Sequence, residues 1–234
     1  YMLFDSMISP LVPFAIKGVV WYQGENNTDK NNRDYASLMR DMIKDWRYRW
    51  GQGDFKFLYV QLANHNHPKD YQEDSRWARV REKQLEVLTE NNTGMAVAID
   101  VGEAKNIHPK NKKDVGERLA LWVLFQETGS PKVYSGPIIR SSSIEKDKIR
   151  VSFDYTGSGL IFKGGKLECA VIAGEDRIFH PANAVIEGNT ILLSSDKVKN
   201  PVAARYAWAD NPEKANLYNK EGLPASPFRT DDWQ

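Results

Sequence analysis

Near neutral pH the side chains best suited to move a proton are histidines, and this 234-residue chain has four: His65, His67, His108 and His180. His65 and His67 stand at an i, i+2 spacing that a metal could use, but no third ligand is evident nearby, so no metal site is assigned. His180 precedes Pro181 without evident partners. His108 is different. It lies in Ile107-His108-Pro109-Lys110-Asn111-Lys112, after a strand-like run and just before a helix-like one. A loop in that position carries an imidazole over the carboxyl edge of a sheet. In its neutral form the ring can take a proton from a hydroxyl nucleophile and return it to a leaving alcohol, provided an acceptor holds its other nitrogen. A second polar cluster, Gln23-Gly24-Glu25, follows the apolar run 17–22. Read alone it is a plain polar turn.

The elements that must position these residues alternate along the first part of the chain. Residues 17–22, 55–62 and 95–101 are short apolar runs rich in β-branched and aromatic residues, which predicts buried strands. Residues 34–50, 74–91 and 114–128 repeat apolar side chains at the helical period, as in Leu38, Met39, Met42, Ile43 and Trp46. Strand and helix in alternation predict a mostly parallel sheet with helices on its faces. Gln23-Gly24-Glu25, Asn64 and the segment 103–108 then fall at the carboxyl ends of the strands, where ligands of such sheets bind. From about residue 131 the pattern changes. Strand runs at 148–154, 167–173, 184–187, 190–194 and 203–208 are separated by glycine-rich turns, which predicts an antiparallel β module of the sandwich type. The chain is accordingly divided into 1–130, 131–212 and a tail, 213–234, whose large terminal residues predict docking onto the body.

Several blocks carry a family resemblance. Val19-Val20-Trp21-Tyr22-Gln23-Gly24-Glu25-Asn26-Asn27 resembles the WYQGESN block of sialate O-acetylesterases and related carbohydrate acetylesterases. Ile107-His108-Pro109-Lys110-Asn111-Lys112 is similar to their IHPxxK block, which holds the catalytic histidine. Trp77-Ala78-Arg79-Val80-Arg81-Glu82-Lys83-Gln84 resembles their W-x-x-x-R-E-x-Q helix. Ala204-Arg205-Tyr206-Ala207-Trp208, Asn216-Leu217-Tyr218-Asn219 and the stretch 222–231 are similar to their C-terminal signature. The blocks occur in the family's order across essentially the whole chain.

The resemblance implies part of a flavodoxin-like SGNH three-layer α/β domain, followed by the antiparallel β module. It implies a serine esterase acting on an acetyl ester of a sugar hydroxyl, with His108 as base and then acid, and no cofactor. The tetrahedral oxyanion is held by preorganised donors, each worth about 3 kcal/mol of barrier. Gln23 supplies the side-chain amide and Gly24 the close backbone approach, while Glu25, Asn27, Gln84 and Trp21 are the expected substrate contacts. The position three residues before the histidine is Lys105, where other SGNH enzymes have Asp. Glu103 is therefore the preferred acidic partner of His108, with Asp100 or a backbone carbonyl as alternatives. The expected partner molecule is an O-acetylated sugar or glycan, and the expected location, by family analogy, is extracytoplasmic.

The family's GQSNM-like nucleophile block has no counterpart here. Phe4-Asp5-Ser6-Met7 faintly resembles the GDS opening of SGNH enzymes, with residues 1–4 as a candidate strand. Too few residues separate Ser6 from Gln23 for even one parallel crossover with its strand, since the crossover alone takes about a dozen. The chain is therefore expected to lack the serine nucleophile, to need an N-terminal segment, and to be inactive alone. A sheet missing its first strands has an open edge, which predicts a homo-oligomer or an exposed apolar face. The alternative is a non-catalytic carbohydrate-binding or interaction module, with Trp21, Tyr22 and Trp77 as stacking platforms.

Composition narrows the field further. Lys and Arg total 32 against 31 Asp and Glu, so no global field favours nucleic acid or an anionic membrane. The single cysteine, Cys169, rules out an intrachain disulfide or a Cys-based metal site. No stretch approaches the roughly 20 apolar residues of a membrane span.

Overall fold

In the computed structural model, residues 2–12, 14–28 and 34–233 are described. Three parallel strands, β1 (Gly18–Trp21), β2 (Lys56–Val60) and β3 (Thr93–Ala96), lie side by side in that order, with Val19 opposite Phe57 and Phe57 opposite Thr93. Successive strand side chains point to opposite faces, so β2 feeds two cores at once. Phe57 and Tyr59 pack with Tyr35, Met39 and Ile43 of α1 (Tyr35–Trp50) and with Trp77 and Val80 of α2 (Arg76–Glu86). Leu58 and Val60 pack on the other face with Val115, Leu119 and Trp122 of α3 (Lys112–Thr128).

Caps set the ends of these helices. Gly51, at φ 63°, closes α1 in the left-handed conformation that L side chains resist. Ser75 Oγ accepts from Ala78 N–H at the start of α2, and Asn111 Oδ1 accepts from Asp114 N–H at the start of α3. The helix predicted over 74–91 is shorter than its apolar pattern, because the chain tightens into a 3₁₀ turn at Val87–Thr89 before entering β3. The third strand begins and ends earlier than predicted. Its ladder stops at Ala96, opposite Val60, the last residue of β2.

The antiparallel part has ten strands: β4 (Ile138–Glu145), β5 (Lys148–Asp154), β6 (Leu160–Phe162), β7 (Ala170–Ala173), β8 (His180–Pro181), β9 (Asn183–Glu187), β10 (Thr190–Ser194), β11 (Ala203–Tyr206), β12 (Leu217–Asn219) and β13 (Phe228–Arg229). They form two four-stranded sheets, ordered β4-β5-β10-β9 and β13-β11-β7-β8, and the pair β12-β6. One apolar core joins all three. Ile149, Val151, Phe153, Ile191 and Leu193 meet Ile172, Ala204, Tyr206 and Phe228, with Leu160, Phe162 and Leu217 from the pair. Residues 213–234, expected as a docking tail, contribute β12 and β13 and core side chains. Arg229 of β13 also pairs bidentately with Glu82 of α2, at 2.7 and 2.9 Å, tying this part to the parallel-sheet half.

Among the described residues β1 pairs only with β2, so its outer edge is open, and Val20 is 63% exposed there. Val20 lines an apolar groove of about 370 Å³ with Lys17, Lys56, Leu58 and Val123. No helix among the described residues is long and apolar enough to cross a membrane.

Candidate active site

The loops after the parallel strands carry the candidate chemistry. Gln23 follows β1 directly. Its backbone carbonyl accepts from the Tyr35 hydroxyl at 3.1 Å, and Gln84 Nε2 lies 3.4 Å from the same oxygen. Its side-chain Nε2 donates to Asn27 Oδ1 at 2.7 Å, which fixes the plane of the amide. Gly24 is buried at φ 147°, a conformation that disfavours any side chain, and a Cβ there would meet Gln84 Nε2 at 3.1 Å and Leu62 Cδ2 at 3.2 Å. Gln23, Asn27 and Trp21 share a cleft of about 350 Å³ with Tyr35, Leu38, Met39 and Met42. One side of the Trp21 ring is walled by Trp46, edge-on at 6.1 Å. Burial pushes the Tyr35 hydroxyl above its ordinary pKa, so it stays protonated and available as a donor.

Gln84 does not meet the expectation that it contacts substrate. It is fully buried, because its Oε1 accepts Leu62 N–H at 2.8 Å just past the end of β2 and its Nε2 faces Val60 O, Gln23 O and Tyr35 Oη. It holds the Gln23 loop from inside. Glu25 is half-buried at the start of a single 3₁₀ turn, Glu25–Thr28, whose carbonyl accepts from Thr28 Oγ1.

The direction of α3 fixes where His108 lies. Trp122 Nε1 donates to Met95 O and Gln126 Nε2 to Thr93 O, while Arg118 reaches Val97 O and Asp100. The helix thus runs antiparallel to β3, and its start, four residues after His108, lies at the carboxyl edge. Lys112 Nζ sits 4.7 Å from the centre of the Tyr22 ring, a cation–π contact that joins this start to the end of β1. Two strand spacings, about 10 Å, separate β1 from β3, which a lysine arm can span. His108 and Gln23 therefore stand on one edge of one sheet, and His108 is exposed. The cleft lined by Trp21, Gln23 and Asn27 is not lined by His108.

The His108 loop is braced by its own groups. His108 N–H donates to Asn106 Oδ1 at 3.0 Å, and Lys110 N–H donates to Glu103 Oε1 at 2.8 Å. Glu103 thus departs from its expected part: its carboxylate holds the loop backbone, and among the described residues it makes no bond to the His108 imidazole. Asp100 is also committed elsewhere. It takes both arms of Arg118, at 2.6 and 2.8 Å, and the Tyr218 hydroxyl at 2.9 Å.

Two of the other histidines, His65 and His67, have local partners. His65 packs on Trp77, with Nδ1 3.1 Å from the Glu103 carbonyl, and His67 Nδ1 is 3.1 Å from Pro68 O. Among the described residues no cluster of three His, Cys, Asp or Glu could hold a metal. Ser6 lies exposed in a helical stretch, Phe4–Ile8; of the candidate strand 1–4, residues 2–4 are helical and Tyr1 lies outside the described residues. Phe4 stacks under Arg49 in the last turn of α1, at the amino edge of the sheet, opposite Gln23.

Sequence reasoning missed the groups that tie the loops to the β module. Arg81, fully buried, donates to Leu62 O, Ala63 O, Ala209 O and Asp210 O at 2.7–2.9 Å. Burial lowers its pKa to about 9, against the pull of Asp210, so it remains charged at neutral pH. Asn64 Oδ1 accepts Gly102 N–H and its Nδ2 donates to Asn211 Oδ1, both at 2.7 Å. Arg81 sits inside a recognisable block, but its partners Ala209 and Asp210 lie far away in sequence and leave no local signal.

Against known proteins, a family model described as carbohydrate esterase, sialic acid-specific acetylesterase, matches residues 3–124. The sialate O-acetylesterases of Mus musculus and Homo sapiens are each 29% identical to the chain over 97% of it, and over 46% and 48% of their own lengths. The crystal structure of a carbohydrate acetylesterase from Xanthomonas citri matches with a TM-score of 0.92 at 44% identity, covering 99% of this chain and 54% of that one. The chain spans about half the length of these relatives.

Proposed function

Because the chain belongs to the sialic acid-specific acetylesterase family of carbohydrate esterases, we propose that it supplies the base and an oxyanion donor of a serine O-acetylesterase acting on acetylated sugars. The observation that carries this reading is the placement of Gln23 and His108 on loops leaving one carboxyl edge, bridged by Lys112 on Tyr22. His108 takes the proton of a serine hydroxyl as its oxygen attacks the acetyl carbonyl. The C–O bond to the sugar then breaks, and His108 returns the proton to the departing sugar oxygen. Water, deprotonated by the same imidazole, then attacks the acyl-serine; the bond from the acetyl carbon to the serine oxygen breaks, acetate leaves, and the imidazole returns the proton to the serine oxygen.

An amide nitrogen carries two N–H groups. The bond from Gln23 to Asn27 orients the amide and leaves one N–H to give to the oxyanion. Trp21 and Asn27, on the same cleft, are the substrate contacts in this reading. In this reading Ser6, near the amino edge of the sheet, is not the nucleophile, and a segment bearing the family's nucleophile block supplies it.

The test is hydrolysis of an aryl acetate and of an O-acetylated sugar. The chain alone is expected to show background rates. Joined to a segment bearing the nucleophile block it gains activity, which His108→Ala lowers by about 10³-fold and Gln23→Ala by about 10²-fold. Turnover by the chain alone that survives Ser6→Ala, or full activity of His108→Ala in the joined protein, defeats the proposal.

A further inference from the structure

The loop that carries His108 begins at Gly102, and Gly102 is held by an unusually close approach. A Cβ on this residue would lie 1.9 Å from the Asn64 carbonyl oxygen and 2.4 Å from its Oδ1. The Gly102 N–H donates to that Oδ1 at 2.7 Å. One residue later, the Glu103 carbonyl receives His65 Nδ1 and the Glu103 carboxylate receives Lys110 N–H, so the loop's frame passes from Gly102 to either side of His108.

Asn64 can hold Gly102 only if its amide is turned with the oxygen inward, and a buried amide is turned by whatever its nitrogen meets. That partner is Asn211 Oδ1, at 2.7 Å, on the segment following β11 of the β module. Asn211 is itself fully buried and oriented: its Nδ2 donates to Asn66 O at 2.8 Å, while its carbonyl accepts Lys69 N–H at 2.9 Å. Beside it, Asp210 takes His65 N–H on its carbonyl and Ser75 Oγ on its carboxylate.

We propose that Asn211 is a positioning residue for His108, acting through Asn64 and Gly102, so that the β module forms part of the frame of the active site. Its consequence for turnover rests on the reading of His108 as the base. The framing of the loop does not, and the two are tested separately.

The first measurement uses the chain itself, by NMR. Asn211→Leu removes both side-chain bonds at similar volume. Hydrogen exchange at the Gly102 amide is expected to rise about tenfold or more, with changed His108 ring signals. Ser226→Ala serves as the control, since it breaks a different contact between the two parts, Gln61 Nε2 to Ser226 Oγ at 2.9 Å. It is expected to leave Gly102 protection and the His108 signals in place. Unchanged Gly102 protection in a folded Asn211→Leu protein overturns the proposal, as does an equal loss in Ser226→Ala. Should Asn211→Leu not fold, Asn211→Ala, which removes the same two side-chain bonds, carries the same readout, with the same two outcomes.

The second measurement is turnover in the joined protein. There Asn211→Leu is expected to lower kcat about 10-fold or more while KM changes less than about 3-fold, because a displaced base weakens the transition state more than substrate binding. A rise in KM alone overturns the positioning role. Intact loop effects with no esterase activity in any protein would instead count against the function proposed above.

Discussion

The Gln23 loop and the His108 loop leave the same edge of the same sheet, yet they are held by different parts of the chain. Gln23 is fixed from within the parallel-sheet half, by Gln84 and Tyr35 on its carbonyl and by the absence of a side chain at Gly24. His108 stands exposed on a loop whose frame runs through Asn64 and His65 to Asp210 and Asn211 of the β module. The difference suits the chemistry proposed for each. A donor to a developing oxyanion works only if it needs no reorganisation, so dense packing serves it. A proton shuttle must face two oxygens in turn, and a framed loop with a free tip serves that.

The sharpest way to break the comparison is at Arg81, which joins the parallel-sheet half to the β module. Its guanidinium serves two carbonyls after β2 and two in the β module. Arg81→Met leaves the Leu62 and Ala209 carbonyls without a donor, while Ala63 O keeps only Trp77 Nε1 and Asp210 O only His65 N–H. The expected loss is about 4 kcal/mol in urea unfolding, below the sum of single-bond costs because the site relaxes. A loss under about 1 kcal/mol would mean that water replaces the guanidinium and the junction is looser than it looks. Gln84→Leu sharpens the comparison instead. It strands the buried Leu62 N–H, so about 2 kcal/mol is expected. Gly102 amide protection should stay at its wild-type value, because nothing in the Asn64 frame touches Gln84. Loss of that protection would show that the two loops are not held separately.

What the sequence revealed divides along the same line. Helices α1 and α3, the order of strand and helix, and the placement of Gln23 and His108 beyond strand ends are local patterns. Period and punctuation expose them. The strand β4 was illegible because Ser141, Ser142 and Ser143 face solvent and break the apolar alternation. The pair β12-β6 was too short to show, and residues 213–234 did not read as core because Leu217, Ala225 and Phe228 find their partners only after the sheets close. At the site, Gln84 was assigned to substrate from its block alone, and only burial shows that it faces inward. Asn64 stood at the right place, but the Asn211 that turns it is 147 residues away. Contacts at that separation have no signature in one sequence.

The smallest expected effect concerns Tyr22, where the two loops touch through Lys112. Its hydroxyl is buried and has no hydrogen-bond partner among the described residues, so it is a cost to the fold. Burial, with a smaller push from Glu25, raises its pKa from 10.0 to about 12. Between those values the unfolded chain has released the phenolic proton and the folded one has kept it, so stability falls as pH rises through this window. Below pH 10 that contribution is intact. Tyr22→Phe keeps the ring for Lys112 and removes both effects. At pH 7 it should be neutral or stabilising by up to about 1 kcal/mol, and its stability should decline less than wild type between pH 10 and 12. A loss at pH 7 of more than about 1 kcal/mol would show that the hydroxyl is bonded in solution. Tyr22 would then be a polar anchor between the loops rather than an apolar spacer.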